Sequence, residues 1–219
     1  MGSTQQLKVL LADDHELVRA GLERLLADAQ DVEVVGAASN GFEVLRQVEE
    51  SSPDLVLLDV SMPGKGGMDT LKELRQRFPG VRVLMLSMYP EDQYAVRLLK
   101  EGAAGYMTKE SAPEELLNAI RRIHGGGRYV SAQLADALVT HLESGDGAES
   151  HTCLSDREFQ VMCMLASGKT VGQIAEELVL SVKTVSTYRT RILQKMNLTN
   201  TAQIMHYGLQ KGLVEPVPK

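Results

Sequence analysis

Between residues 7 and 124, short apolar runs alternate with amphipathic stretches five times, and no other feature of the chain restricts its fold as much. The runs at 7–12, 32–37, 54–58, 81–86 and 104–107 are short and largely apolar, which predicts strands buried on both faces. The stretches at 16–27, 42–49, 68–78, 93–100 and 114–123 carry apolar residues at helical spacing. Five repeats of strand then helix predict an α/β fold with a five-stranded, doubly wound parallel sheet, because right-handed crossovers lay helices over both faces. Ligands of such sheets sit beyond the carboxyl ends of the strands.

The alternation stops at Gly125-Gly126-Gly127. A linker helix is expected over 132–142, then the polar, turn-rich segment Glu143-Ser144-Gly145-Asp146-Gly147-Ala148. Beyond it the pattern is helical throughout. Ser155 and Glu158 have capping-box spacing, and the helix they open should close near Ser167-Gly168. Three more helices are expected, over 171–178, over 182–196 behind a Ser181 cap, and over 201–210 before Gly212. The organisation read from this is an α/β domain over 1–127, a linker over 128–150, and an all-α four-helix domain over 151–219.

Charge separates the same two parts. Residues 1–150 carry 15 Lys and Arg against 24 Asp and Glu, a net of −9, whereas residues 151–219 carry 8 against 5, a net of +3. An acidic front and a basic tail point to an acidic site in the first and a polyanionic partner for the second. No apolar run approaches the ~20 residues of a membrane span. The first residues also lack the basic and apolar regions of a signal peptide, so a cytoplasmic protein with no membrane partner is expected. Cys153 and Cys163 fit a reducing compartment, and with His151 they lack the second ligand pair of a metal centre. Cys163 is expected to pack as a small apolar residue.

Three carboxylates fall at predicted strand ends: Asp13 and Asp14 after the first and Asp59 after the third. The parallel sheet should crowd them at one edge, where a cation must screen them, and oxygen ligands with water favour Mg²⁺. Ser87 follows the fourth strand and Lys109 the fifth, so both converge on the same place. A single Asp or Lys in a loop is usually just solvated. Five polar residues at the ends of four strands make a site.

Asp13-Asp14, the run from Leu55 to Gly64, Ser87, and Gly105-Tyr106-Met107-Thr108-Lys109 together resemble the receiver domain of two-component response regulators, a flavodoxin-like fold, over about the first 125 residues. The resemblance implies that Asp59 accepts a phosphoryl group from a sensor histidine kinase. It implies that Asp14, Asp59 and the Ser61 carbonyl hold Mg²⁺, with Asp13 acting through water. It assigns Lys109 to neutralising phosphoryl charge, and it makes Ser87 and Tyr106 a switch pair in which Ser87 bonds the phosphoryl group and Tyr106 fills the space behind. A haloacid-dehalogenase-like phosphatase would carry a second Asp two residues after the nucleophile, where this chain has Ser61. An enzyme is therefore not expected.

The stretch 182–196 contains no Asp or Glu. Val182, Val185, Ile192, Leu193 and Met196 are expected on its buried face, leaving a basic, hydroxyl-rich face suited to phosphates and base edges. A solvated amphipathic helix would look similar, and context separates the two. Leu154-Ser155-Asp156-Arg157-Glu158, Ile174-Ala175-Glu176-Glu177-Leu178 and the run from Ser181 to Tyr188 resemble the LuxR-type helix-turn-helix domain. With the receiver motifs, the chain resembles a NarL/FixJ-family regulator over nearly its whole length. That likeness implies base reading by Ser186, Thr187 and Thr190, and phosphate contacts by Lys183, Thr184, Tyr188, Arg191 and Lys195. Many relatives have His at Tyr188. Arg189 should lie near the apolar face with its head extended to the DNA backbone. The implied partners are a sensor histidine kinase, double-stranded DNA and, in the active state, a second copy of the chain. A constitutive DNA binder with a vestigial receiver is the rival, and the complete pocket speaks against it.

Overall fold

The apolar runs form five parallel strands: β1 (Leu7–Ala12), β2 (Val32–Ala38), β3 (Leu55–Asp59), β4 (Arg82–Ser87) and β5 (Gly105–Thr108). They are ordered β2-β1-β3-β4-β5. The structure is a computed structural model that describes residues 6–88, 91–131, 134–135 and 150–214. Helices α1 (Glu16–Ala27), α2 (Gly41–Ser51), α3 (Gly67–Arg77), α4 (Glu91–Lys100) and α5 (Pro113–His124) follow the strands in turn. The strand order reverses between β1 and β3, and that switch point leaves a crevice at the carboxyl edge.

One strand departs from the expectation. All five residues of β3 are buried, but β2 is buried only at its two ends and partly exposed between them. As an edge strand it has a single neighbour, and Gly36, Ala37 and Ala38 offer little side chain to cover. Local chemistry sets the helix ends elsewhere. The Asn40 side chain accepts from the N–H groups of Phe42 and Glu43 to start α2, and Pro113 stands in the first turn of α5. After α5 the chain returns to the sheet, pairing Tyr129 with Gly105 beside β5. No periodic signal announces so short a pairing. Of the expected linker helix over 132–142, residues 134 and 135 are described and helical. Its remainder, the segment 143–148 and His141 lie outside the described residues.

The chain divides into two compact units, residues 1–140 and 141–219. The second holds a short 3-10 turn (Ser150–Cys153) and helices α6 (Asp156–Ala166), α7 (Val171–Glu177), α8 (Val182–Lys195) and α9 (Thr201–Gln210). Full capping boxes open α6, with Ser155 and Glu158, and α7, with Thr170 and Gln173. Ser181 caps α8 and Asn200 caps α9. The core between them is built on Leu154, Phe159, Met162, Ile174, Val185, Ile192 and Ile204, and Cys163 and Ala175 are buried with them. A Cβ on Gly208 would come within 2.5 Å of the Ala166 Cβ, so glycine there lets α9 close on α6.

Candidate functional site: a carboxylate pocket and a basic helix face

Asp13 follows β1, Asp59 ends β3, Ser87 ends β4, and Lys109 follows β5, so adjacent strands deliver all four to the crevice. Asp13, Asp59 and Ser87 are buried. Lys109 Nζ stands 2.6 Å from Asp13 Oδ2 and 2.9 Å from Asp59 Oδ2, bridging the two carboxylates. Asp14 is more open, with 24% of its side chain exposed. The backbone N–H of Ser61 donates to Asp59 Oδ1 at 3.2 Å. Tyr106 is fully buried on β5 opposite Met85, and the backbone N–H of Lys109 donates to the Ser87 carbonyl.

Burial pushes the Asp59 carboxyl above the ordinary carboxylate range; nearby Lys109 opposes the shift and Asp13 adds to it. Burial works against the Lys109 ammonium, yet Asp59 and Asp13 outweigh it and hold its pKa above the usual lysine value. The pocket therefore holds more negative charge than one lysine can balance. Asp13 Oδ2 and Asp59 Oδ2 both face the Lys109 ammonium, and Asp14 Oδ1 faces His15 Nδ1 at 3.0 Å, so three buried carboxylate oxygens share one ammonium and one imidazole. Ligand atoms of Asp13, Asp14, His15 and Asp59 lie within 4.8 Å of one another. Oxygen donors with unused lone pairs at this spacing fit a hard divalent cation, so the residues present suit Mg²⁺.

The second constellation lies on α8. Val185, Ile192 and Met196 are buried, while Lys183, Ser186, Thr187, Thr190, Arg191, Gln194 and Lys195 are exposed. Lys183, Thr184, Thr187, Tyr188 and Arg191 line one shallow depression on this face. Three placements differ from the expectations. Val182, assigned to the apolar face, is 57% exposed. The Arg189 Nε donates to Thr201 Oγ1 at 2.7 Å and ties α8 to α9, so its head is engaged inside the domain. Lys195, placed toward phosphates by resemblance, reaches Glu158 Oε2 at 2.6 Å. Glu158 is 3% exposed and also accepts from the Ser155 backbone N–H; against the opposing effect of burial, Lys195 and Ser155 hold its pKa below the usual range.

A strand-order switch point lined by acids and one lysine, on a chain with a capped helix-turn-helix, is what two family models match. The response regulator receiver domain matches residues 9–121, and the luxR family of bacterial regulatory proteins matches residues 152–208. The chain is a response regulator of the NarL/FixJ family. It is 37% identical to the response regulator UvrY of Escherichia coli (strain K12) over 208 residues, covering 94% of this chain and 95% of that one. It is 40% identical to the response regulator GacA of Pseudomonas aeruginosa over 210 residues, covering 95% and 98%. Among solved structures it resembles RcsB of Salmonella enterica serovar Typhimurium bound to promoter P1flhDC in the presence of BeF3⁻. That likeness has a TM-score of 0.65 at 25% identity and covers 93% of this chain and 98% of that one.

This response regulator also positions its pocket through residues that sequence reasoning passed over. A Cβ on Gly67 would fall 2.0 Å from the Asp59 carbonyl oxygen, so only glycine lets α3 begin directly against the end of β3. Arg19 Nη1 donates to the Asp13 carbonyl at 2.6 Å and braces the turn after β1. His15 is the N-cap residue of α1 and contributes no side-chain cap; its Nδ1 lies 3.0 Å from Asp14 Oδ1. A glycine before a helix is too common in sequence to single out Gly67, and Arg19 reads as an ordinary helix-surface cation.

Proposed function

We propose that this regulator takes a phosphoryl group on Asp59 from the phosphohistidine of a sensor histidine kinase and, in response, binds DNA through α8 to control transcription. The observation that carries the first half is the lysine bridge: Lys109 sits within 3 Å of both Asp13 and Asp59 in a buried cluster still short of positive charge. Asp14, Asp59 and the Ser61 carbonyl would hold Mg²⁺, with Asp13 acting through water, and the ion would supply charge neutralisation at the phosphoryl oxygens. An Asp59 carboxylate oxygen attacks phosphorus, an O–P bond forms as the P–N bond of the phosphohistidine breaks, and the imidazole departs with the electron pair. Lys109 swings its ammonium from the carboxylates to a phosphoryl oxygen. The Ser87 hydroxyl bonds another, and Tyr106, already inward, holds the space behind it.

On the DNA side, α8 lies in the major groove. Lys183, Thr184, Tyr188 and Arg191 face phosphates, and Ser186, Thr187 and Thr190 face base edges. The active form is a homodimer on two half-sites. The receiver spans 1–127, the linker 128–150 and the DNA-binding domain 151–219. The chain's family consists of transcriptional regulators, and we assign it no turnover of a separate substrate. No described helix is long and apolar enough to cross a membrane, and the work is placed in the cytoplasm, where DNA is reached.

The test is intact-mass measurement after incubation with acetyl phosphate, in Mg²⁺ and in EDTA. One phosphoryl group is expected on the parent in Mg²⁺ only, none on Asp59→Asn, and little on Asp14→Ala. Full labelling of Asp59→Asn would remove the assignment.

A further inference from the structure

The residues of α8 placed at base edges, Ser186, Thr187 and Thr190, are short, and the structure shows what the two threonine hydroxyls already do. The Thr187 hydroxyl donates to the Lys183 carbonyl at 2.9 Å, and the Thr190 hydroxyl donates to the Ser186 carbonyl at 3.0 Å. Each threonine has therefore used its one donor on its own helix, four residues back. That bond also fixes the side-chain rotamer. Both threonines are exposed, and with their hydroxyls drawn in against the helix their methyl groups remain for a partner.

Val182 extends this surface. It occupies the first position of α8, beside the Ser181 cap, and is 57% exposed although its sequence pattern assigns it to the core. Val179, in the turn just before, is 68% exposed and has φ +51°. The left-handed residues after the other three helices of this unit are Gly168, Asn197 and Gly212. A β-branched residue in that conformation carries backbone strain. At 68% exposure, little packing within the domain offsets it. The amino-terminal end of a helix-turn-helix recognition helix is the part that meets base edges. The apolar atoms that this face leaves open, the Val182 side chain and the two threonine methyls, have one apolar partner in the major groove: the C5-methyl of thymine, which small apolar side chains and threonine methyls touch.

We infer that this regulator selects its DNA sites chiefly by contact of Val182, Thr187 and Thr190 with thymine methyl groups, and not by hydrogen bonds from the threonine hydroxyls. The inference rests on α8 being the DNA-reading helix, as proposed above. Val182 becomes a specificity-determining residue, and sites should be defined by the placement of thymines in each half-site.

Deoxyuridine tests this directly, because it keeps every hydrogen-bonding edge of thymine and lacks only the methyl. Duplexes would be selected from a random pool with the full-length protein treated with acetyl phosphate and Mg²⁺. Each thymine of a selected duplex would then be replaced in turn. A deoxyuridine at a contacted position is expected to weaken binding of the parent about fourfold, the worth of one buried methyl. Thr190→Ser and Thr187→Ser keep the hydroxyl and remove the methyl, and each should abolish the response at one position. Thr190→Val and Thr187→Val keep a methyl and remove the hydroxyl, and should preserve it. Val182→Ala should abolish the response at a further position. The inference is overturned if a fully deoxyuridine-substituted duplex binds as tightly as the thymine form, or if the serine variants keep discrimination and the valine variants lose it. Failure of the parent to bind any duplex, random DNA at low salt included, would instead remove the DNA-reading role of α8 on which the inference stands.

Discussion

The two functional regions use charge in opposite ways. In the receiver pocket, Lys109, Asp13 and Asp59 are almost fully enclosed, with 8%, 1% and 2% of their side chains exposed, and the charges around them shift the ionisation of Asp59 and Lys109. On α8, Lys183 and Arg191 stand in solvent around a shallow depression. Coulomb energy between unit charges a few ångströms apart is several-fold larger in a protein interior than in water. A change in the pocket is therefore felt by the whole cluster, and a change on the helix face by little beyond its own contact. Lys195 refines this comparison. By position it belongs to the basic helix, yet its bond to buried Glu158 makes it behave like a pocket residue.

The strongest way to break the comparison is Lys109→Ala. Removing the ammonium that bridges two buried carboxylates should cost about 3–5 kcal/mol of receiver stability at neutral pH in EDTA. Millimolar Mg²⁺ should then restore more stability to the variant than it adds to the parent, since a bound cation favours the folded state. Urea unfolding with and without Mg²⁺ measures both. Equal stability of variant and parent in EDTA would show that the pocket charges are not coupled.

Asp59→Asn should act in the other direction. The folded state holds the Asp59 proton more tightly than the unfolded chain does, because its pKa is raised. Stability therefore falls as pH rises from the ordinary carboxylate range through the raised value. The neutral amide removes the loss, a gain of about 1 kcal/mol or roughly 4 °C in the midpoint of a domain this size. Thermal melts of the metal-free protein across the acidic range should show the parent and variant converging at low pH. A difference that persists there would assign the effect to packing.

The smallest expected effect separates the two lysines of α8. Lys183→Ala should leave stability within about 0.5 kcal/mol and lower the slope of log affinity against log salt by roughly one unit on every DNA sequence. Lys195→Ala should destabilise the C-terminal unit by about 1 kcal/mol, since it strips a charged hydrogen bond from Glu158, and should change the salt slope less. Identical behaviour of the two variants in melts and salt titrations would place Lys195 on the DNA face after all.

Most of the architecture was legible because its signals are local. Each of the five alternating runs became a strand or helix within a few residues of its expected limits, and the caps at Ser155 and Ser181 stand where their spacing put them. The carboxylate site was legible for a topological reason. In a parallel sheet every residue that follows a strand arrives at the same edge, so Asp13, Asp14, Asp59, Ser87 and Lys109 could be grouped before any distance was known. The burial of β2, the pairing of Tyr129 with Gly105 and the need for Gly67 were not legible, because each depends on which neighbour a strand has or on how closely two backbones approach.

The sequence by itself determined the two-domain plan, the order of elements, and which residue types meet at the carboxyl edge of the sheet and along α8. Tertiary structure alone decided the pairings: Lys109 between Asp13 and Asp59, Arg189 on Thr201, Lys195 on Glu158, and Val182 left in solvent at a helix start. Periodicity reports which face of an element is apolar, since it depends only on neighbours along the chain. Whether a given side chain is covered, and by whom, depends on segments far apart in sequence, as Glu158 and Lys195 are by 37 residues, and those meet only when the core has closed.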